Sequence, residues 1–143
     1  MPSDNLSDDD VRGLLATARS FAVVGASDKP HRPSYGVMAF LIARGYGVYP
    51  VNPVLAGQEI LGRKVYATLA DVPGPIDIVD IFRNSVAAGD TVAEASNEQD
   101  RLSLKAIWMQ VGVINHSAAA AAEAAGLIVA MDRCPKIESA RLL

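Results

Sequence analysis

Five short apolar runs, at residues 21–24, 48–51, 76–82, 106–109 and 127–131, recur along this chain with helical patterns between them. The runs are rich in β-branched residues and do not alternate strictly with polar ones. That is the pattern of strands covered on both faces. Strands that alternate with helices pair in parallel, because each crossover carries the chain back to the same edge. The expectation is an α/β fold: one doubly wound, five-stranded parallel sheet, Rossmann-like, in the order 3-2-1-4-5. A ligand crevice then lies above strand one and its neighbours, at their C-terminal ends.

The helical patterns cover residues 8–18, 34–43, 85–96 and 117–125. Ser7 is placed to cap the first, with Asp8, Asp9 and Asp10 favourable on its dipole. Gly45 and Gly126 stand where the second and last should stop. The alanine run 118–122 reads as a closely packed helix. At 143 residues, without repeats or low-complexity tracts, one domain over 1–143 is expected, with residues 1–6 flexible.

Hydrophobic content of 50% with 20% charged residues excludes a disordered chain. A net charge of −3 argues against a broad nucleic-acid face, although local positive charge can still serve one anionic small molecule. The opening MPSDNLSDDD has no apolar stretch of the signal-peptide kind. No run approaches the roughly 20 apolar residues of a membrane helix. The lone cysteine, Cys134, makes neither an intrachain disulfide nor a Cys-rich zinc site. A soluble, cytoplasmic location is expected.

The segment FAVVGASDKPHRPSYG, residues 21–36, carries the chemistry. A strand runs into a glycine loop and then a helix, the arrangement that aims backbone amides and a helix N-terminus at a phosphate. It is not the Gly-x-Gly-x-x-Gly loop of dinucleotide sites. Gly25 is present, but Ser27 and Pro30 stand where the later glycines belong. Pro30 and Pro33 oppose an immediate helix, so a longer loop with Ser34 as N-cap is expected. Ser27, Ser34, Lys29, His31 and Arg32 could then wrap a phosphate.

Strand two ends in Val51-Asn52-Pro53, where NAD sites place the acid that holds a ribose diol. No acid follows until Glu59, while Arg63 and Lys64 lie a short loop away, which disfavours NAD and suits an extra phosphate. After strand three, Arg83 either contacts a phosphate or pairs with Asp77 or Asp80, which need partners if buried. Ser85 is the simplest cap for the next helix. Strand four ends in Gln110-Val111-Gly112, an amide and a flexible glycine beside the same crevice. His116 is expected to start the last helix.

These segments, VVGASDKPHRPSYG, YPVNPVLAGQEILGRKVYATLADVP, DIVDIFR, IWMQVGV and MDRCPKIE, resemble the small stand-alone CoA-binding proteins of the YccU-like family over nearly all of residues 21–138. The module is also similar to the CoA-binding domain of the succinyl-CoA synthetase α-subunit. The resemblance implies coenzyme A, or an acyl-CoA, as ligand. Gly25, Ala26 and Ser27 would meet the phosphates or adenosine, with Lys29, Arg32, Ser34, Tyr35 and Gly36 beside them. Asn52 and Pro53 would form the pocket edge, and Phe82, Arg83, Gln110 and Gly112 the crevice towards the pantetheine.

No acid–base or nucleophile pair stands out, so a binding module (carrier, sensor or subunit of a larger assembly) is favoured over an enzyme. The alternatives are a component of an acyl-CoA ligase, a thiol-redox protein acting through Cys134, and an NAD(P)-binding switch. Cys134 sits between Arg133 and Lys136, whose charge favours a thiolate. A mixed disulfide with CoA would follow if that segment covers the crevice. No nucleic acid or membrane partner is expected; an exposed edge strand would permit a homodimer or another protein partner.

Overall fold

In a computed structural model that describes residues 3–143, helix α1 (Asp8–Thr17) opens the chain. Ser7 caps it in a reciprocal box: its hydroxyl accepts the Asp10 N–H at 3.1 Å, and Asp10 accepts the Ser7 N–H at 2.9 Å. Strand β1 (Ser20–Val24) follows, then α2 (Pro33–Ala43) and β2 (Gly47–Val51). A small antiparallel hairpin, β3 (Glu59–Ile60) and β4 (Arg63–Lys64), and a single 3₁₀ turn lead to β5 (Ile78–Ile81). The remainder is α3 (Ser85–Asn97), α4 (Gln99–Leu102), β6 (Ala106–Met109), α5 (His116–Ala124), β7 (Ile128–Ala130) and α6 (Pro135–Leu142).

Five parallel strands form the main sheet in the order β2-β1-β5-β6-β7. The doubly wound class is as expected, but the third long strand, β5, lies beside β1 and not outside β2. Pro50 explains the difference. Its carbonyl faces outward and accepts the Tyr66 N–H at 2.9 Å, so its nitrogen, which has no proton, faces the same edge. Only an isolated parallel bridge, Val51 with Tyr66, forms at that edge, where the proline has no N–H to extend the pairing. The sheet therefore reverses direction between β1 and β5, and the crevice opens above that switch point.

Both faces are covered, which is why the strands read as continuous apolar runs. Ala22, Val24, Val79, Ile107 and Met109 meet α3 and α5, whose Ala88, Ala95, Ala118, Ala119 and Ala122 allow close approach. Phe21, Val23, Ile78 and Trp108 meet α1, α2 and α6. Helix α6 is absent from the sequence expectation because its buried positions include Glu138 and Ser139, which break the apolar periodicity. Its polar interior has a purpose. Arg133 contacts Asp4 at 2.7 Å and Glu138 at 3.5 Å, and Arg141 joins Glu138 and Asp8. Asp4 also accepts the Met131 N–H at 2.9 Å, so residues 4–6 of the segment expected to be flexible are tied to the sheet end. Residues 1 and 2 lie outside the described ones.

Capping corrects three other expectations. Ser34 is inside α2, which starts at Pro33 with Arg32 as its cap residue. Asn84 caps α3 in place of Ser85, accepting the Ala87 N–H at 2.8 Å. His116 does begin a helix, capped by Asn115, but α6 follows it.

Asp77 is buried and partnered: it accepts the Arg19 N–H at 2.7 Å and lies 3.2 Å from Lys105 Nζ. Asp80 is 0% exposed, beside Val23 and Trp108, and neither of its oxygens has a partner among the described residues. Burial holds its carboxyl well above the usual range. The native state therefore keeps a proton there that the unfolded chain releases above its ordinary acid range. Stability is full in acid and falls as pH rises through that window. Urea unfolding of the native sequence and Asp80→Asn at pH 5 and pH 8 should show the variant gaining relative stability at the higher pH. An equal difference at both values would refute a buried neutral acid.

Candidate ligand-binding crevice

The loop after β1 is built around Gly25. Its φ is +86°, and a Cβ there would lie 2.4 Å from the Phe82 carbonyl oxygen. Only glycine lets the end of β1 pass this close to the end of β5. Beyond it, Gly25 and Ala26 both donate their N–H to the Val51 carbonyl, at 3.0 and 3.3 Å. Asn52 completes the brace: its amide nitrogen donates to the Ala26 carbonyl at 2.8 Å and its oxygen accepts the Val54 N–H at 2.9 Å. The residue that stands in place of a ribose-binding acid thus holds the loop itself. Ser34 Oγ accepts the Ser27 N–H at 3.0 Å and Ser27 Oγ accepts the Lys29 N–H at 3.1 Å, so both serines set the loop's course.

Above these elements is a crevice of about 420 Å³. It brings together Gly25, Ala26, Ser27, Lys29, Arg32 and Ser34 from the first loop and helix. Asn52 joins from just beyond β2, Phe82 and Arg83 from just beyond β5, and Gln110 from just beyond β6. Pro33, Val111 and Val113 also line it and were not anticipated; the two valines flank Gly112 and could have been found from that glycine.

The charge is one-sided. Lys29, Arg32 and Arg83 line the crevice with no carboxylate among the lining residues, and none of the three joins an ion pair among the described residues. Arg83 pairs with neither Asp77 nor Asp80; one guanidinium nitrogen donates to Thr91 Oγ1 at 3.3 Å. The N-terminus of α2 adds its dipole at Pro33 and Ser34. Gln110 is 8% exposed, and its Oε1 is buried without a partner.

Other candidates fall elsewhere. Pro53 lines an adjoining cavity of about 400 Å³ that shares Gly25, Asn52 and Arg83 with the first and adds Thr68 and Glu94, which no local motif could have revealed. Tyr35 is half-buried against the apolar layer of α1 and α2, and Gly36 faces open space in the first turn of α2. Gly112 shapes the turn. Its φ is +83°, Val113 N–H returns to the Gln110 carbonyl at 2.8 Å, and its own N–H is held by Asp132 Oδ1 at 2.7 Å. His31 is exposed and does not line the crevice.

Cys134 does not cover the crevice. It is 7% exposed, packed in the layer of α1, α2 and α6, and absent from the crevice lining. The neighbouring Arg133 is engaged by Asp4 and Glu138.

The model of the CoA binding domain family matches residues 19–140. The chain belongs to this family. YneT of Bacillus subtilis (strain 168) is 37% identical over 136 residues, which cover 95% of this chain and 96% of YneT. A structure from Thermus thermophilus superposes with a TM-score of 0.89 at 36% identity, covering 96% of this chain and 100% of the other. The α-subunit of an ADP-forming acetate–CoA ligase I from Pyrococcus furiosus is 41% identical over 71 residues, or 47% of this chain and 15% of the subunit. Three cations outside any ion pair among the described residues, a helix N-terminus and the Gln110 carboxamide thus line one crevice. No group of three or more His, Cys, Asp and Glu that could hold a metal occurs among the described residues. No helix among them is long and apolar enough to cross a membrane.

The tight passage at Gly25 makes a direct test. Gly25→Ala combines a positive φ with a clash against backbone and should destabilise the fold by about 2–4 kcal/mol in urea unfolding. A loss below about 1 kcal/mol, the scale of an ordinary glycine-to-alanine effect, would contradict the described packing.

Proposed function

We propose that this protein binds coenzyme A or an acyl-CoA in the crevice above β1, β5 and β6, as a binding module without a reaction of its own. The observation that carries this is the trio of Lys29, Arg32 and Arg83, gathered without a carboxylate in a chain whose net charge is −3. CoA carries a pyrophosphate and a 3′-phosphate, and cations already free of partners need not break an ion pair to meet them. Asn52, whose amide braces the loop, stands where an NAD site places a carboxylate for the ribose diol, and no carboxylate lines the crevice. Gly25, Ala26, Ser27, Ser34, Asn52, Phe82 and Gln110 would complete the contacts, and Pro53 the edge of the adjoining cavity. Tyr35, Gly36 and Gly112 would support the walls from behind.

A component of an acyl-CoA ligase is the second reading, supported by the partial match to the Pyrococcus ligase subunit. The burial of Cys134 away from the crevice weighs against a thiol-redox function. Titration calorimetry with CoA, acetyl-CoA, NAD and NADP separates the ligand classes. CoA should bind more tightly than NAD, and tighter NAD binding would overturn the proposal. Arg83→Ala should weaken CoA about tenfold or more, the scale of a lost charge-assisted hydrogen bond. Added salt should shrink that difference.

A further inference from the structure

We infer that the ligand is an acyl-CoA with an apolar acyl group several carbons long, and that this chain lies along Val86, Val111 and Ile114 at the crevice rim. The inference rests on the CoA reading above and names the class of ligand within it. The three side chains are 85%, 58% and 37% exposed. A single exposed hydrophobic residue is ordinary, but three on one rim are not. Ser85 gathers them. Its Oγ accepts the Ile114 N–H at 3.0 Å and donates to the Gly112 carbonyl at 3.4 Å, and its carbonyl accepts from Asn115 Nδ2 at 2.9 Å. The first turn of α3, which carries Val86, is thereby fastened to the turn over residues 111–114. Val111 and Val113 line the crevice itself, so the rim continues its wall.

This rim is not a slack loop. The Gly112 N–H is held by Asp132 at 2.7 Å, that of Val113 by the Gln110 carbonyl at 2.8 Å, and that of Asn115 by Met131 Sδ at 3.4 Å. With the Ile114 N–H on Ser85, four successive amides are tied down while the apolar side chains stay in water. The polarity of the crevice says what covers them. Lys29 and Arg32 stand at the α2 end, and Arg83 follows β5 in the middle. Beyond Gln110 the wall is valine, without a cation, and the Asp132 carboxylate that holds the turn repels a phosphate from this end. A ligand that matches both ends is anionic at one and apolar at the other. Free CoA would leave the rim wet, and an acetyl group, with one methyl, cannot span three side chains on two elements. A longer alkyl chain covers them and removes apolar surface from water.

The test is calorimetric titration of the native protein and of the double variant Val86→Ser, Ile114→Ser with CoA, acetyl-CoA and octanoyl-CoA. A methylene covered on one side gives about a twofold gain, so octanoyl-CoA should bind the native protein about tenfold or more tightly than acetyl-CoA. The double variant should lose most of that gain while its affinity for CoA stays within about twofold. Equal native affinity for the two thioesters, or a gain that survives in the double variant, would overturn the inference and leave the CoA reading standing. Binding of neither CoA nor its thioesters by the native protein would overturn that reading, and this inference with it. Should the double variant not fold, Val86→Ser alone changes only an exposed side chain and is judged by the same comparison: part of the gain should go, and an unchanged gain would overturn the inference.

Discussion

Between Gly25 and the carbonyl of Phe82 there is no room for a methyl group, and the geometry of the crevice follows from that contact. β1 and β5 are neighbours at the point where the sheet changes direction, so the chain leaving β1 must turn away across the end of β5. The positive φ at Gly25 makes the turn, and two successive N–H groups settle on the Val51 carbonyl. Asn52 then fixes Ala26 from the other side. The loop that could hold phosphate is therefore anchored to three strands before any ligand arrives. A site prepared in this way spares much of the ordering cost of binding.

The distribution of charge follows the same division between frame and site. Arg133 and Arg141 are committed to Asp4, Asp8 and Glu138, which ties the first and last segments of the chain together beside β7. Arg101 is held by Glu98 and by the Leu69 and Val72 carbonyls beneath the long connection to β5. Lys29, Arg32 and Arg83 are spared such duties. The Arg133 pairs with Asp4 and Glu138 are shielded from solvent, whereas Arg141–Asp8 is exposed and worth little, so placement says more than number. What matters is that the crevice cations have no competitor of opposite sign within their own wall.

The class of fold was legible because strands covered on both faces leave a continuous apolar trace, and the helices between them carry caps and stop signals. Strand order was less legible. It hinged on the outward-facing nitrogen of Pro50, a detail of register that no count of apolar runs contains. Helix α6 escaped because its inner face is polar, and its burial follows from a salt-bridge network whose members are far apart in sequence. Within the crevice, residues adjacent to strand ends were readable: Gly25, Asn52, Phe82 and Gln110 each follow a strand directly, and Arg83 comes one residue later. Thr68 and Glu94 were not, since they reach the adjoining cavity only through tertiary packing. Cys134 shows the converse. Its charged neighbours suggested a reactive thiol, yet the local charge is neutralised by Asp4, more than a hundred residues away in sequence.

Two buried polar groups lie on one face of the sheet, and they differ in what they can become. Asp80 sits among Val23 and Trp108, away from the crevice lining, so its unpartnered carboxyl is a cost carried by folding alone. Gln110 carries a similar cost, of about 1–3 kcal/mol for a buried unpartnered acceptor. Gln110 does line the crevice, although its Oε1 is itself closed off. The packed alanine helices on the opposite face supply the stability against which such a loss can stand.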